Sequence, residues 1–364
     1  MRNKNIFNKH FNIRFLKSII CNLAAKSKFL QTQFNIYNKA INIKNLLGKE
    51  IFCHNFQGET KLLIKEIENV FIVGKAGLSI DEKSKKIILL DEKKNPPNFT
   101  KPVLAKNKIV IDEDFFVINA MGIYKGHRHY FHFFFDYFIP LFFYLNNFYK
   151  DKKIKIIIRQ DLSEFQRKSF EFLQKDFPNI EFISAKNNDK IYCKKMIYIS
   201  FPHLDFYDVA KNLKIKKLMI SFQKFFYEHF GIRENSTQKN IYISRYDAKI
   251  RQIKNEEEFL GKLQKFNFEK YQLAKLSFKE QIELFSRAGI IVGAHGAGFT
   301  NLIFARKNTV LIEIFPSSFY DEGFVLLAKM MEIKRYEIIE NNGDKLDNFT
   351  LSEENMNKIL KLIE

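Results

Sequence analysis

Tryptophan is absent from the 364 residues, and cysteine occurs only at Cys21, Cys53 and Cys193. The three are far apart and form no C-x-x-C pair. This excludes a zinc-finger cluster and a disulfide scaffold, and it points to a reducing compartment. An apolar run long enough to read as a membrane span is missing too. Met1 to Leu30 is basic with interspersed apolar residues, but Lys17 and Asn22 break it, so it lacks the core of a secretory signal. A basic amphipathic helix on an anionic bilayer fits this stretch, and so does a surface helix packed on its own domain. Tyr130 to Tyr149 is the most apolar stretch. It holds His132, Asp136, Pro140, Asn146 and Asn147, and does not read as a membrane span. Neither a Walker A sequence nor G-x-G-x-x-G occurs.

What is present describes a globular chain. Hydrophobic residues make up 46% and charged residues 28%, which excludes disorder and collagen and leaves ample material for a core. Lys and Arg total 60 against 41 Asp and Glu, a net charge of +19. Lys, Asn, Ile and Phe are abundant throughout, so the charge reads as a generally basic surface rather than one patch. A nucleic-acid-binding protein is a rival class, but no recognition module of that kind is visible. No nucleic-acid partner is expected.

Three segments follow from the change of rhythm along the chain: a basic extension over 1–50, an α/β domain over 51–232 and a second α/β domain over 233–364. Residues 51–120 read as short strands with polar turns, including Val70–Val73, Lys86–Leu90 and Ile109–Ile111, with a loop at Asn95-Pro96-Pro97-Asn98. From Ile154 strands and helices alternate, the pattern of a parallel sheet. Ile154–Ile158, Ile180–Ile183 and Ile191–Ile199 are strands, and Ser163–Lys175 is a helix. A long helix over 207–231 ends near Gly231. In the second domain Ile241–Ser244, Tyr271–Leu273, Ile290–Val292 and Val310–Ile314 are strands. Asn255 with Glu258, and Ser277 with Glu280, are helix-starting pairs. Phe324–Met331 and Glu353–Ile363 are helices. Two such units place a ligand between them, at the carboxyl ends of the strands.

Four segments carry chemistry. Gly293-Ala294-His295-Gly296-Ala297-Gly298-Phe299-Thr300-Asn301 follows a strand, and its glycines let backbone N–H groups approach an anion. The alternative is an ordinary tight turn, which explains His295 less easily. Ser244-Arg245, with Arg251 beyond, puts two guanidiniums at a strand end, suited to a diphosphate. Glu313 is a single acid in the apolar strand Leu311-Ile312-Glu313-Ile314-Phe315-Pro316. Ribose hydroxyls or a neighbouring Arg would satisfy it. In His127-Arg128-His129-Tyr130-Phe131-His132-Phe133-Phe134-Phe135-Asp136, helical spacing sets His132 and Asp136 on one face. A His oriented by a carboxylate suits a general base, while His127, His129, His132 and Asp136 could instead bind metal in a metal-dependent hydrolase. Asp112-Glu113-Asp114 is a D-x-D pattern in an acidic run where such a match is cheap.

Read together, these segments resemble glycosyltransferase family 61, which includes capsular-polysaccharide enzymes of bacteria. The order and spacing over Ile241–Pro316 carry the likeness: Tyr242-Ile243-Ser244-Arg245, Arg251, Asn255-Glu256, Leu276-Ser277-Phe278-Lys279-Glu280-Gln281, the Gly293–Gly298 loop, Asn301 and Ile312-Glu313-Ile314-Phe315-Pro316. Upstream, His129-Tyr130-Phe131-His132-Phe133 with Asp136 and Pro140 stands where the family has Asn-Tyr-Tyr-His-Trp with Asp and Pro. His129 replaces the usual Asn and Phe133 the usual Trp, departures that bear on the acceptor.

The resemblance implies a GT-B-like α/β architecture, two Rossmann-like domains facing a central cleft. It also implies inverting chemistry without a cofactor or obligatory metal, and a nucleotide-sugar donor held by the C-terminal domain. Donor-binding residues would be Ser244, Arg245, Arg251, His295, Gly296, Ala297, Gly298, Asn301 and Glu313. His132 or Asp136 would be the base. The acceptor would be a saccharide or lipid-linked saccharide in bacterial surface polysaccharide synthesis. The expected location is cytoplasmic, peripheral on the inner membrane face if residues 1–30 bind lipid.

Overall fold

Runs rich in Ile, Val, Phe and Tyr become the strands of two sheets, because branched and aromatic side chains pack well on a pleated surface. The computed structural model describes residues 40–42, 50–55, 61–73, 77–83, 87–89, 107–111, 115–119, 129–148, 152–186, 189–200, 213–233, 238–321, 323–341 and 343–364. The expected Met1–Leu30 helix, the Asn95–Asn98 loop, the D-x-D run, His127 and Arg128 lie outside the described residues.

The first sheet contains β1 (Ala40–Asn42), β2 (Glu50–Asn55), β3 (Lys61–Val73), β4 (Leu78–Asp81), β5 (Ile87–Leu89), β6 (Asn107–Ile111), β7 (Phe116–Asn119), β8 (Ile154–Arg159), β9 (Ile180–Ala185) and β10 (Asp189–Ser200). Its order is β1-β5-β4-β3-β10-β7-β8-β9, with β2 on β3 and β6 on β10. The β6, β7, β8, β9 and β10 pairings are parallel, whereas β3 runs antiparallel to β2, β4 and β10. The parallel sheet expected from 154 onward is therefore one half of a mixed sheet. The other half follows from short connections, since β3 turns back into β4 within a few residues and only antiparallel strands can be joined that way.

A helical run lies between β7 and β8 of the first sheet. Tyr130–His132 is α-helical and Phe133–Phe138 is a π-helix, in which Ile139 N–H reaches back to Phe134 O. Helix α1 (Ile139–Phe148) continues the run. The plain α spacing assumed for His132 and Asp136 is thus interrupted by a conformation that recurs at functional sites. Helix α2 (Glu164–Asp176) starts with the Ser163–Gln166 capping box. Helix α3 (Leu213–Phe230) stops where Gly231 turns left-handed at φ 67°; residues 207–212 lie outside the described set.

The second sheet is wholly parallel and five-stranded: β11 (Lys239–Ile243), β12 (Phe268–Tyr271), β13 (Ala288–Ala294), β14 (Val310–Pro316) and β15 (Lys334–Glu340), in the order β12-β11-β13-β14-β15. The direction of strand order reverses between β11 and β13, which makes their carboxyl ends a switch point. Helices α4 (Glu256–Leu263), α5 (Phe278–Ser286), α6 (Gly323–Met330) and α7 (Glu353–Ile363) connect and flank it. The Ser277–Glu280 capping box forms as expected. The Asn255 pair does not cap its helix. Asn255 Oδ1 accepts from Leu351 N–H and its Nδ2 donates to Leu351 O and Glu258 Oε2, so it ties α4 to the chain leading into α7. Two Rossmann-like units, GT-B-like in arrangement, follow from these two sheets.

Phenylalanine joins them. Phe222, Phe225 and Phe226 of α3 share one buried cluster with Phe134 and Phe138 from the first unit and Phe278 and Phe304 from the second. Phe226 lies 6.0 Å from Phe134, 5.4 Å from Phe278 and 5.5 Å from Phe304, all edge-on. Such pairs add about 0.5–1.5 kcal/mol each beyond burial. Phe226→Ala is expected to cost about 3–5 kcal/mol in denaturant unfolding. A cost below about 1 kcal/mol would show that the seam does not hold the fold.

Candidate functional site

At the switch point a pocket of about 90 Å³ is lined by Ser244, Arg245, Asp247, Leu273, Ala294, Gly296, Gly298 and Phe299, among others. Its floor is the β13 end. Gly293 must lack a side chain there, because a Cβ would come within 2.8 Å of Ile243 O on the neighbouring strand. Gly296 is extended, so its requirement is space: a Cβ would overlap the Arg245 guanidinium. The glycines therefore let a cation close on the loop backbone. Ala297–Phe304 then forms a 3₁₀-helix rather than an α-helix.

Both arginines are poised. Arg245 Nη2 donates to Ile250 O at 3.1 Å, but its Nε is buried without a hydrogen-bond partner. Arg251 Nε is likewise buried and unpartnered, and its guanidinium stacks 4.3 Å over the Phe319 ring. Burial, and then the charge of Arg251, pull Arg245 down to about 10; burial also lowers Arg251. Both remain cationic at neutral pH. Arg251 adopts a left-handed backbone, φ 57°, with its N–H bonded to Leu346 O at 3.0 Å. That conformation costs a non-glycine residue on the order of 1 kcal/mol, and each orphaned donor about 1–3 kcal/mol. An anion bound at the guanidiniums would offset the positive charge the two bring together.

The other expected residues are placed as follows. The Ser244 hydroxyl donates to Glu256 Oε2 at 3.0 Å and accepts from Tyr246 N–H, fixing the turn that carries Arg245. Ala297 and Gly298 line a second pocket of about 240 Å³, which also takes Tyr130, Glu164 and Phe165 from the first unit and Leu273, Phe278 and Gln281 from the second. Asn301 is fully buried. It donates to Gln281 Oε1 at 3.0 Å and Gly298 O at 3.1 Å, and accepts from Tyr130 OH at 2.6 Å. It thus links the two units rather than lining the 90 Å³ pocket.

Glu313 is completely buried, and both its oxygens are engaged within the protein. His295 Nδ1 lies 2.7 Å from Oε1, and Arg335 Nε donates to Oε2 at 2.7 Å. Of the two partners weighed for this acid, the neighbouring Arg is the one present. His132 is half-buried, its ring 4.8 Å from His129 and 5.6 Å from Phe131. The Asp136 side chain lies outside the described residues. Among the described residues no three His, Cys, Asp or Glu converge as metal ligands, and no helix is long and apolar enough to cross a membrane.

Sequence reasoning missed Tyr130, Gln281, Phe319 and Arg335 as site residues. Tyr130 and Gln281 stood in the quoted motifs without a role. Arg335 lies in a strand whose polar run Lys334-Arg335-Tyr336-Glu337 conceals it.

Gly296→Ala is expected to push the Arg245 guanidinium aside. Inorganic pyrophosphate affinity should fall at least about tenfold, about 1.4 kcal/mol, with the unfolding midpoint unchanged. Unchanged affinity by titration calorimetry would contradict an anion site here.

Residues 130–312, about half the chain, match the profile of Glycosyltransferase 61. A beta-1,2-xylosyltransferase of Arabidopsis thaliana is 42% identical over 57 residues, 16% of this chain and 11% of that protein. Beta-1,2-xylosyltransferase RCN11 of Oryza sativa subsp. japonica is 32% identical over 65 residues, 18% of this chain and 12% of that protein. The EGF domain-specific O-linked N-acetylglucosamine transferase of Drosophila melanogaster is 30% identical over 104 residues, 27% of this chain and 20% of that protein. The matched segments thus span a fifth or less of these relatives. The profile match covers the run from Tyr130 through the arginine loop to Ile312, and the chain belongs to the glycosyltransferase 61 family.

Proposed function

We propose that the chain is an inverting glycosyltransferase that moves a sugar from a nucleotide-sugar to a saccharide or lipid-linked saccharide acceptor. The observation that carries this reading is the pair of buried, unpartnered Nε groups of Arg245 and Arg251, with the Arg245 guanidinium against Gly296 at the switch point. A diphosphate would accept from both. Charge grows on that leaving group as its bond to the anomeric carbon breaks. Pre-placed guanidiniums and loop N–H groups stabilise it most in the transition state. They supply the positive charge for departure, and we assign no obligatory metal.

The ribose role is withdrawn from Glu313, whose oxygens are already used, and Glu313 is assigned to holding His295 and Arg335. Ser244 is assigned to shaping the arginine turn and Asn301 to joining the units across the cleft. His132 and Asp136 are assigned to the acceptor side, along the helical run from Tyr130. The relatives' names supply xylose and N-acetylglucosamine as first trial sugars. Bacterial surface polysaccharide synthesis at the cytoplasmic face is the setting we propose, in keeping with the scattered cysteines and the buried, free Cys193.

The test is thermal unfolding with UDP, GDP, CDP, CMP and dTDP in EDTA. A ligand at a hundred times its dissociation constant adds about 2.7 kcal/mol, a shift of several degrees. Stabilisation by one nucleotide in EDTA is expected, and Arg245→Ala should abolish it and lower turnover about 10²–10³-fold. No shift with any nucleotide, together with a shift on adding zinc or manganese, would move the assignment to a metal-dependent hydrolase.

A further inference from the structure

The sequence suggests a carboxylate-oriented histidine at His132 and Asp136. The structure holds a carboxylate–histidine pair at His295 and Glu313. His295 is 6% exposed and Glu313 0%, and their 2.7 Å contact is buried. Glu313 does not stand alone. Arg335 Nε binds its second oxygen, Arg335 Nη1 and Nη2 bind Glu337 Oε2 at 3.1 and 3.2 Å, and Tyr320 OH donates to the same oxygen at 3.0 Å. The chain runs from an exposed tyrosine to a buried imidazole.

This arrangement fixes which ring nitrogen carries the proton. Arg335 holds Glu313 as a carboxylate, which can only accept, so His295 Nδ1 is the donor. In the neutral ring the lone pair is then on Nε2. In this tautomer the neutral ring can take the proton of a hydroxyl at Nε2.

The position fits as well. His295 stands between Ala294 and Gly296, both of which line the anion pocket. Its ring stacks on Phe315 at 4.9 Å and lies 5.4 Å from Phe319, the ring beneath Arg251. On another side Phe324 lies 5.3 Å from His295 and 5.7 Å from Phe131, the neighbour of His132. The imidazole thus sits between the anion pocket and the acceptor-side helical run, held on several sides by aromatic rings.

We propose that His295 is the general base of the transfer and that Glu313 and Arg335 are positioning residues for it. This rests on the transferase reading above. The acceptor hydroxyl gives its proton to His295 Nε2 as its oxygen bonds to the anomeric carbon. The bond from that carbon to the phosphate oxygen breaks, and its electron pair leaves with the nucleoside diphosphate. Glu313 balances the imidazolium until solvent removes the proton. The proton-accepting role expected of His132 or Asp136 falls to His295.

Two measurements on the full chain test this. In the first, ¹⁵N-histidine spectra of the wild-type protein and His295→Asn, which assigns the His295 signals, report the tautomer. An Nδ1–H tautomer is expected, and an Nε2–H tautomer overturns the proposal. In the second, His295→Asn is compared with wild type for UDP affinity and for UDP release from UDP-xylose and UDP-N-acetylglucosamine at saturating donor. Turnover should fall about 10²–10⁴-fold with UDP affinity within threefold. Turnover within threefold of wild type, or a matching loss of UDP affinity, overturns it. Arg335→Lys should retain more turnover than Arg335→Met at equal UDP affinity. Equal losses in both would leave Arg335 no positioning role. Failure of every nucleotide to stabilise the wild-type protein would instead overturn the transferase reading, and this proposal with it.

Discussion

Two guanidinium groups without enough partners are the constraint around which the second unit is built. Like charges repel, buried donors without acceptors cost free energy, and Arg251 adds a left-handed backbone. Asp247 near Arg245, and Asp347 and Asp321 near Arg251, offset the charge in part, but both Nε atoms stay unpartnered among the described residues. The surrounding structure maintains the conflict. Ser244 and Glu256 fix the turn before Arg245, Phe319 carries the Arg251 plane, and Gly296 clears the space. A site that holds unsatisfied positive charge is pre-organised for an anion, and one that gains charge during reaction benefits most.

The aromatic seam explains how two sheets can hold one cleft steady. Phenylalanine occurs 41 times and tryptophan not at all, so the core uses one rigid ring shape repeatedly. The rings of Phe134, Phe226, Phe278 and Phe304 carry no polar atom to satisfy, although the same cluster also buries the Tyr144 hydroxyl without a partner. Polar links across the seam run from Tyr130 OH to Asn301, from Gln223 and Tyr227 to the carbonyls of Ile303, Phe304 and Ala305, and from Phe278 N–H to Glu164. Burial of the Tyr130 hydroxyl raises its pKa, which keeps it a donor to Asn301. The helical run from Tyr130 is therefore tied by its first residue to the loop that follows β13.

Much of this was legible in the chain. The β13 strand, its glycine loop and the paired arginines announce themselves because strand ends and phosphate-type loops are local patterns. Glu313 stood out as an acid in an apolar strand, but its partners did not. His295 lies 18 residues before it and Arg335 22 after, on a neighbouring strand. Sheet register, which no local period carries, brings them together. The same holds for the first sheet, whose antiparallel half depends on how β3 pairs with the distant β10. The π-helix at Phe133–Phe138 left no trace in a run of aromatic residues that suits any helix. Asn255 has the chemistry of a helix cap, yet its side chain serves Leu351, a tertiary contact that overrides the local preference.

The central claim is that the charge of a diphosphate, rather than the shape of a base or sugar, anchors the donor. Calorimetric titration in EDTA of each nucleoside diphosphate beside its parent nucleoside tests it most directly. One diphosphate is expected to bind at least about a hundredfold tighter than its nucleoside, a difference of about 2.7 kcal/mol, and Arg245→Ala to erase most of that gap. Equal affinity for nucleoside and diphosphate, or a gap unchanged by Arg245→Ala, would contradict it.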